Sequence, residues 1–423
     1  MIPLYIKTTL ICIFICLDLK SQDTITLRLE NKEYSVESVV GFLHLSDIET
    51  LKTDIQSLNP RFWRLGNTVI NKQDRIRTIQ ELEELNITPI LVFSDFYSNT
   101  PRENSSWKRP FEKPLVFLSM VEDLYKENGN KVIYDLWNEP NIKSYWLGSR
   151  NDFFYSFKIA YDKIRSLPGG DKALITGPST AGFDKEFIEE FLDFCNKNNI
   201  RVDILNWHEN NDKSKVFDME SHIKYAREIW IQKYPRVHIK NIFIAEIISK
   251  KEQFDPLAIL AYLNSLEHSN ALGGCKSCWS NDPSIGGNTC LNNSINGIID
   301  AEGKPRSTWW IYKFYKESLN HRIHYTKNSQ KIISIPYLDK SENTINLILG
   351  NLNSNNRNLN IVLNSIKTQS KSKVDYTLFE IYNSGINKLL SPCKVFSRTT
   401  TNTVIRIEDL NSSSVYLLRL TKE

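Results

Sequence analysis

The chain has 423 residues, 41% of them hydrophobic and 24% charged, proportions that exclude a disordered or fibrous protein. Its 53 basic and 49 acidic residues leave a net charge of +4, too balanced for an electrostatic binder of nucleic acid. The length has room for a large barrel of about 250 residues and a smaller second domain.

The N-terminus carries Lys7, then the apolar run Leu10–Leu17 and the polar segment Asp18–Gln22. That run is too short to span a bilayer, which takes about 20 residues, but it has the length of a signal-peptide core. The expectation is a signal peptide over residues 1–22, delivery to the periplasm or the extracellular space, and no membrane insertion of the mature chain. Within 23–38, Thr24–Leu29 alternates apolar with polar residues and predicts a strand able to join a sheet formed later in the chain.

Over residues 39–320 short apolar runs alternate with helical patterns. The predicted strands are Val39–Leu45, Phe62–Leu65, Pro89–Phe93, Val132–Trp137, Ala173–Thr176, Asp203–His208, Ile242–Glu246 and a weaker eighth around Gly273–Trp279. Continuous rather than alternating hydrophobicity is the pattern of strands covered on both faces, as in parallel sheets. Amphipathic helices are predicted between them, for example over Asp184–Asn198, where Phe187, Ile188, Phe191 and Leu192 share one face. Eight such units fit a (β/α)8 TIM barrel. A doubly wound open sheet is the alternative, but no glycine-rich phosphate loop is visible.

Over residues 321–423 the period becomes alternating. Thr344–Leu349, Leu359–Leu363, Tyr376–Tyr382, Thr403–Ile407 and Val415–Leu420, separated by Asn- and Ser-rich turns, predict a C-terminal antiparallel β-sandwich domain. The fold class is therefore α/β, a TIM barrel followed by a sandwich.

Of seven cysteines, two lie in the leader. Cys275, Cys278 and Cys290 cluster, but a second ligand pair at zinc-site spacing is missing, so no metal and no cofactor are expected. A disulfide from Cys290 to either Cys275 or Cys278 suits an oxidising compartment. Asn86, Asn104, Asn292 and Asn411 head Asn-x-Ser/Thr sequons.

Barrel enzymes carry their chemistry at the C-terminal ends of the strands. In order, those ends offer His44, Arg64, Asp95, Trp137-Asn138-Glu139-Pro140-Asn141, Trp207-His208-Glu209, Glu246 and Trp279. Carboxylates on the fourth and seventh strands face one another across the mouth, the layout that glycoside hydrolysis needs. Arg64 is read as binding substrate or gripping a catalytic carboxylate through its planar fork. His208 and His44 are read as substrate ligands, and Trp207 and Trp279 as platforms under a sugar ring. Glu209 is read as a loop residue hydrogen-bonding substrate or solvent.

Val132–Asn141 (VIYDLWNEPN) resembles the acid/base strand of clan A glycoside hydrolases, where Asn-Glu-Pro closes the fourth strand. With Arg61–Gly66 (RFWRLG), Trp207-His208, Glu246, Trp279 and the trailing sandwich, the chain is most similar to glycoside hydrolase family 39, the β-xylosidases and α-L-iduronidases. The resemblance implies a retaining mechanism with Glu139 as acid/base, Glu246 as nucleophile and Asn138 hydrogen-bonding the sugar 2-hydroxyl. The partner it implies is a carbohydrate; the sugar, the linkage, exo or endo action and the oligomeric state are not encoded in strand motifs. Two other classes compete: a non-catalytic carbohydrate-binding protein on a degenerate barrel, disfavoured because both carboxylates are present, and a metal-dependent hydrolase, disfavoured because the seven histidines form no cluster such as His-x-His.

Overall fold

The computed structural model describes residues 22–44, 47–98, 106–279, 288–300, 302–339, 341, 343–364, 373–383 and 392–422. The apolar run Leu10–Leu17 and the Asn104 sequon lie outside them. No helix among the described residues is long and apolar enough to cross a membrane.

Strand β1 (Gln22–Ser35) is followed by eight strands that close into a parallel barrel: β2 (Val40–Leu43), β3 (Phe62–Leu65), β4 (Thr88–Val92), β5 (Ile133–Asp135), β6 (Leu174–Thr180), β7 (Ile204–Glu209), β8 (Asn241–Ile247) and β9 (Gly273–Lys276). Closure through β2 and β9 rules out the open doubly wound sheet. All eight short runs picked out by continuous hydrophobicity are barrel strands, since each is covered inside and out. Inward-facing Phe62, Ile90, Ile133, Ile204, Phe243, Ala245 and Cys275 fill the lumen, so the barrel is a packed core with its site on top.

The helices are set by local chemistry. Ser149 and Asp152 form a reciprocal capping box at the start of helix Arg150–Ser166, and Asp184 accepts from the Phe187 N–H to start helix Lys185–Lys197. Helix Pro256–His268 opens with Asp255 as cap and Pro256 in the first turn, and is buried almost all round because it is sandwiched between barrel and C-terminal sheet.

Eight further strands follow: β10 (His321–Lys327), β11 (Ile332–Leu338), β12 (Thr344–Asn351), β13 (Arg357–Asn364), β14 (Val374–Tyr382), β15 (Cys393–Thr400), β16 (Val404–Leu410) and β17 (Ser414–Lys422). With β1 they make one nine-stranded sheet in the order β15-β14-β17-β12-β11-β10-β1-β13-β16. The expected sandwich is thus a single curled sheet that encloses its own core of Ile25, Leu27, Leu347, Leu359, Ile361, Leu378, Ile407 and Leu418. All its pairings are antiparallel except β1 with β13. Ile333, Ile348 and Leu417, on the other face, join the barrel's core and bind the two domains together.

Candidate active site

Strand parity decides which side chains reach the barrel mouth, except on β8, where a register shift after Ile244 lets Glu246 follow Ala245 inward and pair with His208. Along β7, Ile204, Asn206 and His208 point inward while Leu205, Trp207 and Glu209 point toward the helices, and β3 and β5 send Arg64 and Asp135 inward by the same alternation.

Arg64 is the hub. Its Nε and one terminal nitrogen donate to Asp135 Oδ2 at 3.1 and 2.8 Å, that nitrogen also donates to Asn138 Oδ1 at 2.8 Å, and the other donates to Glu246 Oε1 at 3.0 Å. Burial alone disfavours a charged guanidinium, but Asp135 and Glu246 more than offset it, and the arginine is held charged. Asp135, fully buried, also accepts from Ser179 Oγ at 2.8 Å.

Glu139 and Glu246 converge from β5 and β8. An oxygen of each lies within 4.8 Å of the other and of a ring nitrogen of His208. Their side chains are 14% and 17% exposed, enough for a substrate to reach them. His208 Nδ1 sits 2.9 Å from Glu139 Oε1 and 3.7 Å from Glu246 Oε2. Glu246 Oε2 accepts from Asn210 Nδ2 at 3.0 Å, and Asn210 in turn accepts from Ser277 Oγ on the eighth strand's continuation. Burial pushes the Glu246 carboxyl up, but His208, Arg64, the Asn210 hydrogen bond and His44 outweigh it and hold it below the usual glutamate range.

The backbone around the mouth is unusual. His44, Glu139 and Ser179 all have positive φ, 53°, 49° and 55°, in the region that side-chain-bearing residues enter rarely. Glu139 is kept there by its N–H, which donates to Ser179 O at 2.8 Å, while Ser179 N donates to Asn206 Oδ1 at 2.8 Å. Gly66 closes the Arg61–Gly66 motif because a Cβ there would fall 1.8 Å from Asp95 Oδ2.

Several expected residues are brought together. Arg64, Asn138, Glu139, His208 and Glu246 form one hydrogen-bonded cluster. His44 borders it, near enough for Asp95, Glu246 and Arg64 to act on its charge, and burial pushes its imidazole toward neutrality. Trp279 follows β9 beside the disulfide, its backbone N–H donating to Thr289 Oγ1 at 3.0 Å.

Three expectations are corrected. Trp207 is fully buried and faces outward, its Nε1 donating to Glu209 Oε1 at 2.8 Å and its indole packed on Phe183, so it is no sugar platform. Glu209 follows the same parity: its oxygens take up Trp207, His222 Nδ1 at 2.8 Å and Asn211 Nδ2 at 3.0 Å, which leaves it a structural carboxylate away from substrate. His208, also fully buried, meets the carboxylates rather than offering a face to substrate.

Asp135, Ser179, Asn206 and Asn210 were not singled out from the sequence. Parity would have found Asp135 and Asn206, polar residues on the inward face of buried strands; Ser179 and Asn210 carry no such signal. Tyr145, on the loop after β5 and readable in the sequence as a loop aromatic able to add a subsite, also reaches the site. Burial, with the charges of Glu139, Glu246 and Asp95 adding to it, pushes its hydroxyl up to about 12, and its ring lies edge-on to Trp107 with centroids 6.1 Å apart.

Among the described residues two side-chain clusters have metal-ligand spacing. In the first, His44 with Cys278 and Cys290, both sulfurs are joined in the Cys278–Cys290 disulfide and are not thiolate donors; Cys275 is free and buried. In the second, Glu139, His208 and Glu246, the histidine nitrogen nearest both carboxylates is engaged by Glu139.

Residues 92–254, from the end of β4 to just past β8, match the family model for glycosyl hydrolases family 39. A β-xylosidase of Caldicellulosiruptor saccharolyticus is 26% identical over 110 residues, which is 26% of this chain and 21% of that protein, so the alignment takes in about a fifth of the curated relative's length. Among solved structures, N2152 from Neocallimastix frontalis superposes with a TM-score of 0.74 at 18% identity, covering 95% of this chain and 100% of that one. The GH39 enzyme from Xanthomonas axonopodis pv. citri superposes with a TM-score of 0.67 at 14% identity, covering 94% and 97%. The first two match the segment that carries the carboxylates and the solved structures match the barrel-plus-sheet fold: residues 92–254 are similar to glycosyl hydrolases family 39, on a fold shared with a solved GH39 enzyme.

Proposed function

We propose that this chain is a secreted retaining glycosidase that cleaves β-xylosides or closely related β-glycosides by double displacement, with Glu246 as nucleophile and Glu139 as acid/base. The observation that carries the reading is that one carboxylate oxygen of Glu139 and one of Glu246 lie within 4.8 Å of each other. Retaining enzymes place their carboxyl groups about 5–5.5 Å apart, whereas inverting enzymes keep roughly 6.5–9.5 Å to admit a water. The xyloside is inferred from the relative's activity, and secretion is supported by the disulfide and the leader pattern.

The geometry supports the following steps. Arg64, Asn210 and the nearby histidines stabilise the Glu246 carboxylate, so it is ionised and aimed when substrate binds. It attacks the anomeric carbon while Glu139 gives its proton to the departing glycosidic oxygen. The glycosyl-enzyme ester removes the negative charge on Glu246, and Glu139 then takes a proton from the incoming water. His208 touches Glu139 throughout and orients it. Asn138, whose Oδ1 is occupied by Arg64, keeps its amide donors for the sugar 2-hydroxyl.

The test is hydrolysis of a panel of aryl glycosides, followed by proton NMR of the first anomer released. A β-anomer from an aryl β-xyloside is the expected product. An α-anomer, or no turnover of any aryl glycoside in the panel, overturns the proposal.

A further inference from the structure

At the end of the barrel opposite the carboxylates, a cavity of about 940 Å³ opens between the N-terminal ends of the strands and the C-terminal sheet. Val39, Asn241 and Leu272, at or just before the starts of β2, β8 and β9, form one wall, and Ile323 and Tyr325 of β10 form the other. A second cavity of about 570 Å³ adjoins it, sharing Arg227, His268 and Lys327.

The charge here is lopsided. The larger cavity is lined by Arg61, Arg227, Lys240, Arg322 and Lys327 against two carboxylates, Glu37 and Glu267. Arg61 pairs with Glu37, Arg322 with Glu267 at 2.9 Å, and Lys240 with Asp203 at 3.4 Å. Arg227 instead donates to the backbone carbonyls of Ser269 and Asn270, and Lys327 Nζ to that of Ile332 at 2.9 Å. Among the described residues no carboxylate lies within ion-pair distance of either. In the smaller cavity Glu220 accepts from Ser265 Oγ and only partly offsets the charge of Lys327, and Glu228 lies 3.9 Å from Lys224. Nδ1 of His324 is buried on the same side without a hydrogen-bond partner.

Partly buried cations without counter-ions are costly, and an oxyanion is the group that relieves the cost. Burial pushes the Lys327 ammonium down to about 8, with Glu220 only partly opposing and Arg322 adding to the fall. Burial likewise lowers Arg227. The space exceeds what a lone phosphate fills and falls in the range that holds an oligomeric ligand. The wall also offers a flat surface, since the Tyr325 ring stacks on His268 at 6.0 Å and 18°.

We infer that this cleft is a second carbohydrate site, remote from the catalytic mouth, that takes an acidic oligosaccharide with a sugar carboxylate seated between Arg227 and Lys327.

The experiment is calorimetric titration of the full chain with a trimer of galacturonic acid, a neutral galactose trimer and inorganic phosphate. The variants are Lys327→Gln, which keeps a donor for Ile332, and Arg227→Met, with melting temperature as the check on folding. The acid trimer is expected to bind, at least ten-fold more weakly in each variant and more weakly in high salt, with unchanged affinity for Glu246→Gln. Equal binding of acid and neutral trimers, equal affinity in wild type and both variants, or loss of binding in Glu246→Gln overturns the inference. Phosphate binding without binding of the acid trimer overturns it as well.

Discussion

Arg64 places a guanidinium nitrogen 3.0 Å from Oε1 of Glu246, and this bond ties the barrel's second strand to its seventh across the mouth. The same guanidinium grips Asp135, so the position of the Glu246 carboxylate depends on a buried ion pair on the fourth strand.

Arg64→Lys should keep a positive charge but lose the fork, because an ammonium cannot hold Asp135, Asn138 and Glu246 together. A fall in kcat/KM of about 10²-fold is expected, in line with displacing a preorganised group. The sign of the pH effect follows from Glu246: Arg64 lowers its pKa, and it must be ionised to attack. Weakening that contact raises the pKa, so the acid limb of the kcat/KM profile should move to higher pH. An unmoved limb would show that Arg64 does not tune the nucleophile.

Glu139→Ala should separate substrates by leaving group. A good leaving group needs no proton, so aryl glycosides with acidic phenols should keep their first step, while poor leaving groups should lose about 10²–10⁴-fold in rate. Added azide should give the retained glycosyl azide. A uniform loss across leaving groups would exclude Glu139 as the proton donor.

Glu209→Gln should leave kcat within about ten-fold of wild type and lower stability by about 1–3 kcal/mol, because the buried Trp207 indole and the half-buried His222 lose a charged partner. Kinetics and thermal melts of this variant would show a catalytic role by loss of activity without loss of stability.

Reduction of Cys278–Cys290, or Cys290→Ser, opens a loop of sequence separation 12 and should lower stability by about 3 kcal/mol. The bond lies beside His44 and anchors the residues around Trp279, so KM should rise more than kcat falls. Melting with and without reductant tests the first, and kinetics of the serine variant the second.

The barrel was readable because strands buried on both faces show as unbroken apolar runs, and Asn138-Glu139-Pro140 marks its strand end without help from neighbours. The C-terminal sheet was less readable. The β11 strand is apolar on both faces, as it packs on the barrel and inside the curled sheet, so it shows no alternation; β15 is a largely exposed edge strand with little apolar content. In the site, Trp207 and Glu209 misled because closeness in sequence to His208 hides the fact that alternate residues face opposite ways. Asn210, which holds Glu246 from the loop after β7, depends on loop geometry that no periodicity encodes.

The central claim is that Glu246 becomes covalently glycosylated. The direct measurement is to inactivate the enzyme with an aryl 2-deoxy-2-fluoro-β-xyloside, digest it and locate the modified peptide by mass spectrometry. The account expects one fluoroxylosyl group per chain, on Glu246 in the β8 peptide. A label on Glu209, or inverted hydrolysis product with no covalent adduct, would contradict it.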